Sequence, residues 1–524
     1  MKLFGLLLLL SFGIHLCLGW MGFNPTDDGV VLAGARRLLN GEIPHLDYIS
    51  IRPVGSSILH MPALFFGPYA FWLSRWFVVL QLVWIAYFIY RFFCDVLSIS
   101  HSFGYQLGAV LVVFFLTAHN LLLTAWTTVD GIFFCTMALY LMHRNTNAAG
   151  SYAGCLCIGI ACLMKQVFVP FMLFPLLWKK GNKVAYLLLL FAPLLLYLIV
   201  IVSTGGYDDL IVQFTARTEL MRTGFMAYKK MAVLRGALLG VLLIGSFYYR
   251  KKYTWLPSVS IFLLLCVAFQ GFVKPENVQF NSFNLFGCSL VVSVYCLYTH
   301  RFTFLYALSA IQLLAWCSSI SLGYNCPVYL SGGLVLGCVL FVSDGEGSKE
   351  LMFRAVYWVP VFCASCLLFF YLRYTSIYRE TKGVEITYAL GGVFPGMKGI
   401  YTNERTFTYL NELKNITDSL DKQNSKYSIM PAFAAFWATS VQPNPLVLDW
   451  INNEEIPGSN LRNRAIRQMQ EDKQLVFILS KVEPSEIARE DARVQPGTYY
   501  IQDYVLQHAT RIRSYHYYEL YQFN

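Results

Sequence analysis

Long apolar runs separated by short polar connections dominate the first 374 residues of the chain. Runs of this kind are typical of helices that cross the roughly 30 Å hydrocarbon layer of a membrane. Several runs are short, and 152–178 could form one re-entrant pair, so the pattern predicts about 11–13 transmembrane helices. The runs are 3–22, 69–93, 103–118, 128–142, 152–166, 167–178, 184–203, 232–249, 256–273, 284–298, 303–321, 328–343 and 353–373.

The remainder of the chain has a different pattern, in which short apolar runs alternate with polar segments. Residues 404–424 have the periodicity of a helix. Three short runs have the character of strands: Tyr427–Met430, Leu446–Leu448 and Val476–Leu479. We therefore predict an α-helical polytopic membrane domain over residues 1–374 and a soluble α/β domain over residues 375–524.

Composition and charge support this division. The chain is 56% hydrophobic and 13% charged, against roughly 25% charged for an average soluble domain. Residues 1–374 hold 24 Lys and Arg against 13 Asp and Glu, whereas residues 375–524 hold 16 against 17. These figures exclude a cytosolic enzyme and a disordered protein. They also argue against nucleic-acid binding, because the excess positive charge lies in the membrane part.

The positive charges predict how the helices are oriented. Lys and Arg recur at every second connection, which the positive-inside rule assigns to the cytoplasm. No small-x-small cleavage site follows the first run, so we expect a retained span with a cytoplasmic N-terminus. The first loop 23–68, the loops 204–231 and 274–283, and the C-terminal domain then lie outside. The cytoplasmic cations are Arg91, Arg144, Lys179, Lys180, Lys183, Arg250, Lys251, Lys252, Arg301, Lys349 and Arg354.

The first outer loop holds two adjacent carboxylates, Asp27 and Asp28, directly before an amphipathic segment. Residues 30–39 have apolar positions at helical spacing, and Asn40-Gly41 is a typical helix end. We expect this helix to lie in the membrane interface. A single Asp at a helix start commonly caps the helix, whereas a second carboxylate beside it raises the pKa of both. The residues leave open whether the pair caps the helix or carries chemistry.

Several cations also face outward in this topology, although the positive-inside rule disfavours them there. Each one taken alone is explained as a loop charge or as a side chain that reaches the interface. Together they could form a cationic patch that binds a phosphate group, since Arg binds phosphate through two hydrogen bonds and Lys as a point charge. The candidates for such a patch are Arg52, Lys165, Arg217, Arg222 and Lys274.

These motifs resemble the GT-C superfamily of integral-membrane glycosyltransferases, which includes the lipid A aminoarabinose transferases and the protein O-mannosyltransferases. The Asp27-Asp28 pair, the helix ending at Asn40-Gly41, the Arg52-Pro53 step and Leu163-Met164-Lys165-Gln166 are similar to motifs of that superfamily. An outer α/β domain after 11–13 spans is also common there. At the second acidic position Asp28 stands where Glu is commoner, which leaves the role of that residue open.

The resemblance implies transfer, with inversion, of a sugar from a polyprenyl-phosphate donor to an acceptor hydroxyl on a glycan, lipid or protein. It implies that Asp27 is the general base and that Asp28 orients the acceptor or helps hold a divalent ion. Glu276 would be a third ligand, in an oxygen site that suits Mg²⁺ or Mn²⁺. Arg52 first and Lys165 second would stabilise the leaving phosphate. The expected location is the inner (cytoplasmic) membrane.

Two other classes of protein fit the same pattern. A membrane transporter or a flippase for lipid-linked sugars would have similar spans, and its outer cations would guide an anionic substrate. A glycan ligase or polymerase would share the polyprenyl donor. We also expect the C-terminal domain to cap the cavity of the site and to help choose the acceptor.

Overall fold

The structure is a computed structural model of the chain. The residues that it describes are 2–118, 123–144, 148–215, 222, 226, 228, 234–273, 278–320, 326–343, 355–453, 456 and 458–524. The predicted site residues Arg217, Lys274 and Glu276 lie outside these ranges.

The described part of the chain is mostly helical. In chain order the helices before the C-terminal region are α1 Lys2–Leu18, α2 Val30–Leu39, α3 Gly55–His60, α4 Ala70–Val96, α5 Phe103–Ala118, α6 Thr127–Arg144, α7 Ala148–Met164, α8 Leu173–Trp178, α9 Lys183–Ser203, α10 Tyr207–Thr215, α11 Leu234–Tyr249, α12 Leu256–Val273, α13 Val278–Tyr298, α14 Phe302–Ser319, α15 Ser331–Ser343 and α16 Ala355–Thr375. Short 3-10 turns at Asp27–Gly29, Met61–Tyr69 and Gln166–Met172 join some of them.

Several of these helices are apolar enough to lie in a membrane. By length and composition, the described residues contain four that could cross one: Gly55–Val96, Lys183–Ser203, Phe280–Tyr298 and Phe302–Ser319. Eight further apolar helical stretches are 10–17 residues long. Together with the composition they indicate a membrane protein. Each of the thirteen apolar runs contains a described helix, and the number of runs that cross the bilayer stays a prediction.

Three of the cations assigned to the cytoplasm, Arg250, Arg301 and Lys179, contact residues at or near the ends of described helices. Arg250 and Arg301 both lie over the ring of Phe247, 3.8 and 4.1 Å from its centroid. The ammonium group of Lys179 donates to the carbonyl of Met142 at the end of α6. The contacts of these three cations are compatible with the alternation of the charges along the chain. The side of the membrane on which they lie stays a prediction.

The C-terminal region is an α/β unit with a small sheet. Its four-stranded sheet has the order β3-β4-β6-β5, in which β3 and β4 are parallel and the other two pairs are antiparallel. The strands are β1 Tyr388–Ala389, β2 Tyr401–Thr402, β3 Tyr427–Met430, β4 Val476–Ser480, β5 Thr510–Ser514 and β6 Tyr518–Gln522. The helices are α17 Glu404–Lys422, α18 Ala434–Thr439, α19 Ser459–Glu471 and α20 Tyr500–His508.

The strand expected at Leu446–Leu448 is wrong. This segment is an irregular turn in the structure. The side chain of Asn444 accepts from the backbone N–H of Leu446 and donates to the carbonyl of Leu448. These bonds curl the chain, and Arg37, Gln468 and the backbone N–H of Ile49 bond to other backbone groups of the segment. The three apolar side chains are therefore buried without joining the sheet.

The first loop and the C-terminal region share one hydrophobic core. Leu32, Ala33 and Ala35 of α2 are at most 1% exposed, and they belong to the same buried cluster as the core of the C-terminal sheet. The backbone of Tyr401 also exchanges hydrogen bonds with Trp20 and Gly22. The apolar face of α2 therefore packs against protein, which differs from the expected position of this helix in the membrane interface.

The backbone at Gly29 lies close against the C-terminal region. A Cβ atom built on this glycine would lie 2.0 Å from the backbone nitrogen of Ala435. The same backbone N–H donates to the carbonyl of Pro25 at 3.0 Å. Only glycine can occupy this position while the backbone of Ala435 keeps its contact with the first loop.

We predict that Gly29→Ala separates the two regions, because a methyl group there meets backbone atoms that cannot turn aside. The expected cost is about 1–3 kcal/mol of stability or more, seen as a lower melting temperature in detergent. Gly392→Ala is the matched control, since a Cβ at Gly392 meets nothing within 4 Å. Equal melting temperatures for both variants would contradict this account of the contact.

Candidate active site

The turn before α2 is built by Asn24. Its side-chain oxygen accepts from the backbone N–H groups of Thr26 and Asp27, at 3.1 and 3.2 Å. The N-cap residue of α2 is Gly29, which makes no side-chain capping bond, and Thr26 makes none to the 3-10 turn Asp27–Gly29. Asn24 therefore organises this turn, and Asp28 closes it by accepting from the backbone N–H of Asn24. A catalytic role for the acidic pair stays a prediction.

Asp28 is held in a buried ion pair. It is 2% exposed, and its Oδ2 atom accepts from Arg75 Nη2 at 3.0 Å and from the backbone N–H of Asn24 at 2.8 Å. Arg75 also donates to the carbonyls of Gly19, Met21 and Gly22. One arginine from α4 therefore ties both the carboxylate and the end of α1 in place.

Asp27 has partners that come from the segment after α16. Its Oδ2 atom accepts from the hydroxyl of Tyr378 at 3.0 Å and pairs with Arg379 Nη1 at 2.9 Å. Burial raises the pKa of Asp27 above its usual value, and nearby Asp28 raises it further. Arg379, Tyr378 and Arg52 act in the opposite direction without cancelling this effect. A carboxyl group tuned in this way suits the transfer of a proton.

Arg52 lies in the wall of a cleft between the first loop and the C-terminal region, here named the Arg52 cleft. Its volume is about 720 Å³ with the open mouth included. The charge of Arg52 is near enough to lower the pKa of Asp27. The residues lining the cleft are Val30, Val31, Gly34, Tyr48, Ile49, Ser50, Ile51, Arg52, Pro53, Ser56, Ser57, Thr127, Ala434, Leu448, Asp449 and Trp450.

Lys165 is buried beside the segment that carries Arg52. It stands at an extended break between α7 and the following 3-10 turn, and its ammonium group donates to Thr128 Oγ1 at 2.9 Å. The next residue, Gln166, donates to the carbonyl of Ile51 at 2.9 Å. The fold therefore brings two cations that are 113 positions apart in the sequence into neighbouring backbone segments.

The remaining predicted residues are not drawn into this group by the described structure. Arg222 is exposed, and the roles proposed for Arg217, Lys274 and Glu276 stay predictions because these residues lie outside the described ranges. Within those ranges no three His, Cys, Asp or Glu residues are grouped to hold a metal. Since arginines already neutralise Asp27 and Asp28, the pair is better suited to ion pairing than to a divalent cation.

Sequence reasoning missed the partners of the acidic pair. Arg75 was hidden inside an apolar run, although a lone arginine there needs a nearby negative charge. Tyr378 and Arg379 stand about 350 positions after Asp27, so no local pattern connects them with it. Burial of the pair requires such partners, but the sequence does not indicate which residues supply them.

A second polar group was also missed, and it lies wholly inside the helices. Asp130 Oδ1 accepts from His60 Nε2 at 2.9 Å and from Gln81 Nε2 at 2.8 Å. All three residues are at most 2% exposed. Asp130 and His60 are 70 positions apart in the sequence, so no local pattern connects them, whereas the structure brings them together in the interior.

Comparisons with known proteins give little further guidance. No model of a known protein family matches the chain, and no curated protein matches its sequence. A crystal structure of the Archaeoglobus fulgidus oligosaccharyltransferase, in complex with Zn and sulfate, superposes with a TM-score of 0.43 and 12% identity. The superposition covers 90% of this chain and 68% of that one. A TM-score this low does not establish a shared fold.

We predict that Arg75→Gln destabilises the protein, because it leaves Asp28 charged, buried and without its cation. Breaking a buried pair by removing one partner costs about 3–5 kcal/mol, which should appear as a large fall in melting temperature in detergent. Arg513→Gln, at an exposed position of β5, is the matched control and should change it little. A wild-type melting temperature for Arg75→Gln would show that the pair does not hold the turn.

Proposed function

We propose that this protein is an inverting glycosyltransferase of the GT-C type, acting at the outer face of the membrane. Its donor would be a sugar on a polyprenyl phosphate, and its acceptor a hydroxyl group of a cell-envelope glycan, lipid or protein. The observation that carries the proposal is the position of Asp27. This buried carboxyl group has a raised pKa and lies within electrostatic range of an arginine that lines an open cleft.

The Arg52 cleft is the proposed donor site. Arg52 would bind the phosphate, and Lys165 behind it adds a second positive charge that is only 4% exposed. Charges in such a water-poor position stabilise a developing phosphate more strongly than charges in bulk water. The prenyl chain would lie along the apolar surfaces of the neighbouring helices.

In the proposed reaction Asp27 takes the proton of the acceptor hydroxyl while its oxygen attacks the anomeric carbon. The bond between that carbon and the phosphate oxygen breaks as the new glycosidic bond forms. The electron pair of the broken bond leaves with the polyprenyl phosphate, next to Arg52. Attack on the face opposite the phosphate inverts the anomeric configuration.

The C-terminal region supplies part of the donor site in this proposal. Leu448, Asp449 and Trp450 line the Arg52 cleft together with the first loop. Asp449 is fixed there by two hydrogen bonds from Arg37, at 2.7 and 2.9 Å. This supports the expectation that the region caps the cavity, with Trp450 placed to contact a sugar ring.

A second candidate function, a transporter or a flippase for lipid-linked sugars, is favoured by the His60–Asp130–Gln81 group. Ionisable side chains buried among membrane helices often mark a substrate or proton pathway. The glycosyltransferase assignment is preferred because it accounts for Asp27, its paired tyrosine and arginine, and the cleft beside Arg52.

The test of the proposed function is transfer of radiolabelled sugar from polyprenyl-phosphate donors to membrane acceptors. We expect Asp27→Asn to lower the rate about 10²–10⁴-fold, the usual contribution of a general base. Arg52→Ala should lower it about 10²–10³-fold by removing stabilisation of the phosphate. Arg493→Gln, an exposed change in the C-terminal region, is the control. Full activity of Asp27→Asn would contradict Asp27 as the general base and would favour the transporter or flippase instead.

We also predict a change in pH dependence for Arg379→Gln. The positive charge of Arg379 lowers the pKa of Asp27, so its removal raises that pKa further. Asp27 would then be protonated over a wider range, and the acidic limb of the pH–rate profile should move to higher pH. An unchanged limb, or one displaced to lower pH, would be inconsistent with Asp27 as the base.

A further inference from the structure

A second cleft, here named the Arg373 cleft, lies on another side of the acidic pair. Its volume is about 460 Å³ with the open mouth included. It shares no lining residue with the Arg52 cleft. Its lining residues are Leu18, Met21, Gly22, Phe23, Asn24, Asp28, Arg75, Leu123, Arg373, Ile377 and Tyr378.

Asp28, which lines this cleft, has one buried carboxylate oxygen with no hydrogen-bond partner among the described residues. Asp28 Oδ2 is bound by Arg75 and Asn24, but among the described residues nothing donates to Asp28 Oδ1. Asp28 is 98% buried, since only 2% of it is exposed. A buried charged oxygen is rarely left without a donor, so this atom indicates a ligand that brings an O–H or N–H group.

The charges of the cleft limit the ligand further. Its lining residues include two guanidinium groups, of Arg75 and Arg373, and one carboxylate, of Asp28. This is a formal excess of one positive charge. A ligand with hydroxyl groups and an anionic group matches this wall, whereas a cationic ligand would be repelled.

Tyr378 connects this cleft with the proposed base. Its side chain lines the cleft, and its hydroxyl group donates to Asp27 Oδ2 at 3.0 Å. This is the distance and the chemical group that an acceptor hydroxyl needs in order to give up its proton to the base. The phenol therefore occupies the place that an acceptor hydroxyl would take.

We propose that the Arg373 cleft is the acceptor subsite, and that it takes a hydroxyl-bearing ligand with an anionic group. This inference rests on the proposed function. The acceptor hydroxyl displaces that of Tyr378 from Asp27, a neighbouring hydroxyl donates to Asp28 Oδ1, and Arg373 binds the anionic group. The Arg373 cleft is connected to Asp27 through the hydroxyl of Tyr378, whereas the Arg52 cleft is connected to it through the charge of Arg52. Inversion requires the acceptor and the leaving phosphate to lie on opposite faces of the sugar, and two separate clefts allow this.

The test compares transfer of sugar to membrane acceptors with hydrolysis of the same labelled polyprenyl-phosphate donor by water. Arg373→Gln removes the charge, and Ile377→Trp fills the cleft without breaking a hydrogen bond. Both should lower the ratio of transfer to hydrolysis about tenfold or more, Arg373→Gln because it removes a charge-assisted contact and Ile377→Trp because its ring fills the space of the acceptor. Tyr371→Trp, on the same helix as Arg373 and 63% exposed, is the matched control. Equal losses of transfer and hydrolysis in both variants would overturn the proposal.

A second measurement separates this inference from the proposed function. A photoreactive benzoylphenylalanine replaces Ile377, or Tyr371 as the control, in the full-length protein in its native membrane. Capture at position 377 alone of a hydroxyl-bearing anionic molecule supports the subsite, even if the wild type neither transfers nor hydrolyses the donor. The same bulk phospholipid at both positions, or no adduct at position 377, would overturn it.

Discussion

The burial of two adjacent carboxylates in the first loop is the constraint on which the rest of this structure depends. Each needs a cation, and the two cations have different origins. Asp28 is paired with Arg75, whose side chain is 6% exposed, whereas Asp27 is paired with Arg379, whose side chain is 33% exposed. The first pair is the more deeply buried and fixes the turn through Asp28 Oδ2. The second can exchange its partner with solvent or a ligand, so only Asp27 is placed to change its protonation during a reaction.

The same constraint explains why the C-terminal region cannot be treated as an appendage. Glu380, next to Arg379, accepts from Thr402, Asn403 and the backbone N–H of Phe23. Asn24 donates to the carbonyls of Pro484 and Ser485. The loop that holds the acidic pair is therefore enclosed by residues from the end of the chain. The geometry of the pair depends on both regions at once.

Local patterns predicted the elements well and the contacts poorly. The helix Val30–Leu39 and the strand Tyr427–Met430 have the predicted bounds. The periodicity of the helix records its buried face, whereas the strand is a short apolar run whose four residues are all buried. The strand expected at Leu446–Leu448 is absent because Asn444 curls the segment and the distant side chains of Arg37 and Gln468 bond to its backbone. An apolar run does not reveal such contacts. Asp27 and Arg52 could be selected from their types and positions, whereas Arg75 and Tyr378 are defined only by folding over long separations.

Because the first loop is enclosed by residues from the end of the chain, it is synthesised long before its partners. The hydroxyl of Tyr378 that reaches Asp27 belongs to a residue 351 positions later, and at about 5–20 residues per second a ribosome needs on the order of 20–70 s to make that interval. During this time the apolar face of α2 and an acidic turn are outside the ribosome without their final partners. During synthesis the first loop, with Asp27, Asp28 and the apolar face of α2, therefore passes through an interval in which it is prone to misfold or aggregate. A chaperone or the lipid surface has to cover this loop until the C-terminal region is made.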